Sequence, residues 1–318
     1  NGRCFPCRDR KKADGRRRKM TGLGNLIRRN IRLFFKDKGM FFSSLITPII
    51  LLVLYVTFLA KVYRDSFISV FPTGVTVGDE LINGIVAGQL VSSLLAVSCV
   101  TVAFCSNLLM INDKVSGAVH DLTVSPVRRS ALALGYFVSS AVSTLIISFV
   151  ALAAGLLYVR TQGWYMSAGD LGYLVLDVFL LTLFGTALSS CINFALKTSG
   201  QASAVGTIVS AGYGFLCGAY MPMSQFGGGL QKTLMFLPGT YGTSLIRNHA
   251  MAGAFRKMES IGFPPQAVEM MKNAVDCKLF FFDSEVTVPM MYAVLGGSTV
   301  LLILLYIFLN KIISGRAK

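Results

Sequence analysis

Charged residues, histidine and tryptophan are scarce in this sequence, and each shortage narrows what the chain can be. Charged residues make up 14% of the 318 residues, and there are 2 histidines and 1 tryptophan, whereas a soluble domain carries roughly 25% charge. The H-E-x-x-H zinc motif is absent, and no Gly-Lys dipeptide is present to build a phosphate-binding P-loop. We therefore expect no catalytic residue, no metal and no cofactor bound by this chain itself.

Apolar residues, in contrast, are abundant and lie in long uninterrupted blocks. They make up 53% of the chain, and the mean hydropathy is +0.63. A helix needs about 20 apolar residues to cross the hydrocarbon core, where every backbone group must be paired. The sequence therefore predicts an all-α integral membrane protein, residues 39–313, with six transmembrane helices at about 39–60, 84–111, 131–159, 171–196, 201–220 and 286–310.

The net charge of +15 is concentrated near the start of the chain. Of 30 lysines and arginines, 14 lie between Arg3 and Lys38, ahead of the first apolar block. Such a run contacts anionic lipid headgroups and holds a segment in the cytoplasm, so we expect membrane lipid and no nucleic acid as its partner. We assign residues 1–20 to a basic cytoplasmic tail, which includes the lone Cys4-x-x-Cys7 pair and receives no function.

Residues 21–38 predict an amphipathic helix on the inner membrane surface. Apolar side chains recur there at steps of three and four residues, and basic side chains occupy the opposite face. Lysines and arginines are also more numerous in the predicted inner segments, 21 against 9 in the outer ones. This bias places both termini in the cytoplasm and the protein in the cell membrane.

The predicted outer loop, residues 221–285, is too long for a simple turn and is interrupted by prolines and glycines. We expect short helices rather than strands in it, including an amphipathic helix whose apolar positions run from Val268 to Leu279. The two histidines, His120 and His249, fall in loops assigned to opposite sides of the membrane. A catalytic triad built on either histidine is therefore not expected.

Asp177 is the one acidic residue inside a predicted span, and a charge in lipid is costly unless it faces water or a partner. It lies seven residues past Asp170, roughly 10 Å deeper at 1.5 Å per residue. Two interpretations stay open. The carboxylate either reaches water at the headgroup level or lines a translocation path or a subunit interface.

The inner loop after the second span predicts a short helix from Asp113 to Leu122 that ends before Pro126. Together with its neighbours, this loop belongs to a series of short motifs in a fixed order along the chain. The series comprises the amphipathic helix, Thr47-Pro48-Ile49-Ile50 leading to Tyr55, the loop itself with Arg128 and Gly135-Tyr136, Gly218-Ala219-Tyr220-Met221-Pro222, and Leu237-Pro238-Gly239-Thr240-Tyr241 with Arg247.

From about residue 20 to the C terminus, this series resembles the permease subunits of ABC exporters of the drug-resistance and polysaccharide-export type. In that family the inner loop is a coupling helix that inserts into a separate ATPase. The resemblance implies a docking element that contains Asp113, Gly117, His120, Asp121, Leu122 and Pro126. It also implies that the interfacial helix contacts the ATPase, with Arg28, Arg29, Arg32, Phe34 and Phe35 as its marker residues.

The resemblance further implies a working unit of two permeases, as a homo- or heterodimer, with two ATPase subunits that bind ATP and magnesium. A drug, a lipid, a peptide or a lipid-linked sugar would move outward along the permease interface. Residues 220–247 would form re-entrant or capping helices over the outer end. Two alternatives remain from the residues alone: an ATP-independent secondary transporter or channel-like protein, and a membrane scaffold that assembles partners without transport.

Overall fold

The computed structural model describes residues 7–70, 78–124, 129–282 and 284–316, and nearly all of them are helical. The helices are α1 (Cys7–Lys36), α2 (Lys38–Leu54), α3 (Ala60–Val70), α4 (Asp79–Val115), α5 (Ala118–Val124), α6 (Arg129–Gln162), α7 (Ala168–Ala195), α8 (Ser199–Leu216), α9 (Gly228–Leu234), α10 (Pro238–Ser260), α11 (Pro265–Ala274) and α12 (Val288–Arg316). Within the described ranges, five helical stretches are long and apolar enough to cross a membrane: Lys38–Asp65, Asp79–Val115, Ser130–Gln162, Ala168–Ala195 and Val288–Ile312. The predicted helical membrane protein is confirmed.

Helix α4 forms the centre of the bundle, because α2, α6, α7, α8 and α10 all pack around it. Glycines allow the neighbouring helices to approach closely. A Cβ atom on Gly185 would lie 2.9 Å from the Cys99 carbonyl oxygen, and one on Gly155 would lie 2.7 Å from Val91. Small residues at helix crossings are typical of membrane proteins, where van der Waals packing rather than the hydrophobic effect holds helices together.

Helix α1 begins at Cys7, well before the predicted start at residue 21, so most of the basic tail and the interfacial helix form one helix. Lysine and arginine are good helix formers, which favours this continuation. The helix ends at Lys36, and the next residue caps α2, since the Asp37 carboxylate accepts a hydrogen bond from the Met40 amide at 3.1 Å. One π-helical turn, Tyr55–Leu59, joins α2 to α3.

The inner loop does not form one helix from Asp113 to Leu122, and that prediction is wrong. Helix α4 continues to Val115, and α5 starts anew at Ala118. Between them Gly117 has a φ of +81°, a left-handed conformation that glycine adopts at helix ends without steric cost. The Ser116 amide closes the end of α4 on the Asn112 carbonyl at 2.9 Å. Asp113 therefore belongs to the last turn of a membrane-crossing helix.

Between α8 and α12, the described residues form three α-helices, a short 3₁₀ turn (Met223–Gln225) and a hairpin. Strands β1 (Leu279–Phe281) and β2 (Ser284–Val286) pair antiparallel, with Phe280 opposite Glu285. The expected helices are present, but the expectation that no strands form is wrong at the hairpin. The run of phenylalanines explains the strands, since aromatic residues favour them.

Helix α11 is shorter than the predicted amphipathic helix. It ends at Ala274, because Asp276 has a φ of 54° that stops it before Leu279. Within α11, Val268 and Met271 are buried as the helical spacing predicts. The apolar face of the predicted helix is therefore correct, and its end is wrong.

Candidate functional site

A clasp joins α1 to the bundle at the end where α4 meets α5. The Asp113 carboxylate accepts two hydrogen bonds from the Arg29 guanidinium, at 2.7 and 3.1 Å. The Tyr136 hydroxyl on α6 donates to the same carboxylate at 2.6 Å. These three residues, the α1 clasp, fix the interfacial helix to two helices of the bundle.

The α1 clasp is half open to solvent. The Asp113 side chain is 8% exposed, whereas the Arg29 side chain is 35% exposed. The hydrogen bonds to Asp113 raise the pKa of Arg29 despite partial burial, so the guanidinium keeps its charge. A charge-assisted, bidentate pair of this kind orients α1 as well as attaching it.

The marker residues of the interfacial helix divide between two faces. Phe34 is buried in a cluster with Met40, Val102 and Ile147, and Phe35 packs edge-on against it with ring centroids 5.2 Å apart. Arg28 and Arg32 are exposed on the other side. The apolar face of α1 therefore packs on the bundle, and the basic face points away from it.

An apolar cavity of about 330 Å³ lies between α1, α5 and α6. It is lined by Gly22, Asn25, Leu26, Arg29, Leu122 and Leu132. The cavity is bounded on one side by the α1 clasp and on the other by α5. It brings together two segments that lie about a hundred residues apart in the sequence. The family resemblance assigned both segments to ATPase docking.

The predicted docking residues do not all lie on the surface. Asp113 is buried in the clasp, whereas Gly117 and Asp121 are exposed and Leu122 is half-buried at the cavity. His120 lies in α5, but its side chain and all of Pro126 are outside the described residues. The clasp role of Asp113 was missed because its partner, Arg29, lies 84 residues away.

Asp177 lies fully inside the chain, so the expectation that it reaches water at the headgroup level is wrong. Its side chain is 0% exposed, and its Oδ2 lies 2.6 Å from Nδ1 of His249. The Tyr292 hydroxyl of α12 donates to Oδ1 at 2.5 Å. His249, assigned from sequence to a loop, lies on α10, where the Tyr173 ring stacks on it at 5.0 Å. The other interpretation, that Asp177 lines a translocation path or a subunit interface, stays a prediction.

Asp177 is also the inner of two rungs that join α7 to α10. At the outer rung, Arg256 donates to Asp170 at 2.9 Å and makes a second, shorter contact with the same carboxylate. Asp170 and Asp177 are seven residues apart, as are His249 and Arg256, so the two antiparallel helices match over two turns, or about 10 Å. The spacing of Asp170 and Asp177 was noted from the sequence, and the equal spacing of His249 and Arg256 was missed.

A third acid–base pair lies at the same end of the bundle. Arg247 donates to Asp276 at 2.8 Å and to the Gly218 carbonyl at 2.5 Å, and the Met223 amide donates to the same carboxylate at 2.8 Å. The two side chains of the ion pair are only 1% and 5% exposed. This network connects α10 to the segment after α8 and to the turn before β1.

A sequence profile of the ABC-2 type transporter family matches residues 21–250. The matched range begins within α1, contains the α1 clasp and α5, and ends just beyond His249. The chain belongs to the ABC-2 type transporter family. None of the curated proteins compared with this ABC-2 transporter matches it. Membership makes the chain a multi-pass membrane permease component of an ABC transporter, which works with an ABC ATPase.

Proposed function

We propose that this ABC-2 permease is an exporter subunit, driven by ATP that a separate ATPase hydrolyses while docked on α5 and α1. The observation that carries the proposal is the α1 clasp with its adjoining cavity. The clasp sets α1 beside α5, and an apolar recess between them suits an apolar side chain of the ATPase. Exposed Gly117 and Asp121 would form the rim of this surface.

Transport would follow from a shift between two packings of the bundle. ATP and magnesium would bind between the two ATPase subunits and change their spacing. Because Arg29 of α1 and Tyr136 of α6 both donate to Asp113 of α4, a displacement of α1 and α5 would be transmitted to the central helix of the permease. Substrate would then leave along the interface between two permease copies, identical or different.

The finer topology is part of the proposal. Helix α8 has 18 residues, or about 27 Å at 1.5 Å per residue, close to the thickness of the hydrocarbon core, so we count it as the sixth span. With six spans, both termini lie on one side, and the basic α1 favours the cytoplasmic face of the cell membrane. The apolar character of the bundle suits a drug, a lipid, a peptide or a lipid-linked sugar.

Affinity purification from native membranes tests the proposal. Leu122→Asp and Gly117→Pro should lose a stoichiometric ATPase that the wild-type chain retains. Ile261→Asp is the matched control, because Ile261 is an apolar residue that is 50% exposed but lies in the turn after α10, at the opposite end. A folded wild-type chain that brings down no ATPase would overturn the proposal.

A second candidate, proton-coupled transport without ATP, rests on the contact between Asp177 and His249. A buried carboxylate beside a histidine and a tyrosine is a group that can hold and release a proton. Uptake or efflux in proteoliposomes without ATP, driven by a pH gradient and abolished by Asp177→Asn, would favour it. Transport that requires ATP in both variants would exclude it.

A further inference from the structure

The end of the bundle opposite the α1 clasp exposes a cluster of phenylalanines. Phe236, between α9 and α10, is 64% exposed, and Phe280 and Phe282 of the hairpin are 44% and 52% exposed. The Phe236 and Phe281 ring centroids are 5.2 Å apart, and those of Phe281 and Phe282 are 5.0 Å apart. We name Phe236, Phe280, Phe281 and Phe282 the aromatic tip.

The backbone of the aromatic tip is strained at one of its exposed rings. Phe282 follows β1 directly and has a φ of 55°. A bulky side chain rarely adopts this left-handed conformation, and asparagine or glycine would relieve it in a tight hairpin. A strained and exposed phenylalanine costs stability in water. An apolar environment around the ring would offset that cost.

The aromatic tip lies level with the ends of membrane-crossing helices. Strand β2 ends at Val286, two residues before α12 begins at Val288, and α12 is apolar enough to span. Phe236 lies four residues before Thr240, whose hydroxyl donates to the Leu216 carbonyl at the end of α8 at 3.4 Å. The hairpin therefore leads directly into a helix that is apolar enough to span, and aromatic side chains are enriched where such helices leave the hydrocarbon core.

A lysine accompanies the aromatic rings. The Lys232 ammonium of α9 lies over the Phe282 ring, 5.5 Å from its centroid. An amphipathic lysine beside interfacial aromatics can keep its stem among apolar groups while its charge reaches lipid phosphates. Apolar rings with a cation at their edge match the chemistry of a phospholipid surface at the headgroup boundary.

We propose that the aromatic tip inserts into the headgroup boundary of the lipid leaflet at this end of the bundle. It anchors the hairpin and the start of α10 to that leaflet. The partner is the phospholipid surface itself. The inference does not depend on ATP-driven export, because it rests on exposure, backbone strain, position and the contact of Lys232 with Phe282.

Fluorescence quenching in vesicles tests the anchor. Since the chain has 1 tryptophan, Trp164→Phe provides a background in which Phe282→Trp reports on the tip alone. In phosphatidylcholine vesicles, lipids brominated near the headgroup should quench most of its emission, and aqueous acrylamide should quench little. Lipids brominated near the chain ends should quench it less.

Ile261→Trp in the same background is the matched control. Ile261 is 50% exposed, but it follows α10 beyond the outer rung and away from the predicted membrane surface. We expect acrylamide to quench the tryptophan introduced at position 261 and brominated lipid to leave it bright. Phe280→Trp repeats the measurement at a position without positive φ, in case Phe282→Trp does not fold.

Two results would overturn the proposal. Acrylamide quenching of the tip tryptophan equal to that of Ile261→Trp would place the tip in water. The other result is emission that neither quencher affects in the undiluted sample. If acrylamide then quenches the emission once the protein is diluted to single copies, a second copy covers the tip.

Discussion

The two ends of the helix bundle use buried carboxylates in different ways. At the α5 end, Asp113 pairs with an arginine whose side chain is 35% exposed. At the opposite end, Asp177 and Asp276 pair with His249 and Arg247, whose side chains are only 13% and 1% exposed. Water reaches the arginine of the Asp113 pair, whereas the contacts of Asp177 and Asp276 are buried within the bundle.

This difference assigns a different task to each end. A pair whose arginine reaches water can rearrange at a lower cost than a fully buried pair, because the guanidinium can be hydrated as it moves. A buried pair adds little net stability when intact, but breaking it leaves an uncompensated charge at a cost of about 3–5 kcal/mol. We infer that the α1 clasp moves during the transport cycle, while the opposite end keeps α10 in one position.

Loss of the deeply buried Arg247–Asp276 pair should have the largest effect on stability. Arg247→Met leaves the Asp276 carboxylate without its guanidinium and should lower the free energy of unfolding by about 3–5 kcal/mol. Thermal unfolding in detergent measures this. Arg64→Met is the control, because Arg64 pairs with Asp79 at the same end but in water, with side chains 38% and 78% exposed. Equal losses in the two variants would remove the contrast between the ends.

The two rungs between α7 and α10 allow a finer comparison within one pair of helices. Asp177→Asn should cost about 1–3 kcal/mol, since one of the two carboxyl oxygens that contact His249 and Tyr292 becomes an amide nitrogen away from water. Asp170→Asn should cost less than about 1 kcal/mol, because its partner Arg256 is exposed. Measuring the unfolding of both variants in detergent shows which of the two substitutions costs more stability. A larger loss at Asp170 would contradict it.

Hydropathy was sufficient to locate most membrane-crossing helices. The predicted blocks 84–111, 131–159 and 171–196 fall almost wholly within α4, α6 and α7, because a long apolar run is a local property of the sequence. The helices extend further at most ends, since residues outside lipid need no apolar character to remain helical. The aromatic hairpin was missed because the apolar spacing from Val268 to Leu279 fits a helix, although β1 begins at the last of these positions.

The partners within each candidate site were not predictable in the same way. Arg29 and Asp113 are separated by 84 residues, and Asp177 and His249 by 72. Such pairs depend on helix packing rather than on local pattern. One signal was present: the seven-residue spacing of Asp170 and Asp177 recurs between His249 and Arg256. An acidic and a basic pair with equal spacing predict two helices in contact, and the structure shows that these two run antiparallel.

One added methyl group on α6 should test whether the position of α1 affects ATPase docking. A Cβ atom on Gly135 would clash with the Leu26 side chain of α1, so Gly135→Ala should displace α1 from α6. We expect a change in unfolding free energy of about 1 kcal/mol, because α1 can shift, together with reduced ATPase co-purification. Gly172→Ala is the control, since nothing lies within 4 Å of its Cβ position. Unchanged ATPase binding in Gly135→Ala would show that the position of α1 does not affect docking of the ATPase.

The last effect concerns Cys277, next to the Arg247–Asp276 pair, and should be absent at neutral pH and appear only at alkaline pH. Burial raises the pKa of Cys277 from 9.0 to about 12. The unfolded thiol loses its proton near pH 9 while the folded thiol keeps it, so stability should fall progressively as pH rises from about 9 towards 12. Site-specific mass spectrometry should find Cys277 unmodified by iodoacetamide at about pH 9 in the folded protein and modified after denaturation. Rapid modification of the folded protein would mean that water reaches this end.

The central claim is that an ATPase contacts α5 at the cavity beside α1. Benzoylphenylalanine placed at position 122 and irradiated in native membranes tests this contact directly, with the same group at position 261 as control. The account predicts a covalent adduct between position 122 and an ABC ATPase, and none from position 261. Adducts to lipid alone at position 122, with the ATPase present in the same membranes, would contradict it.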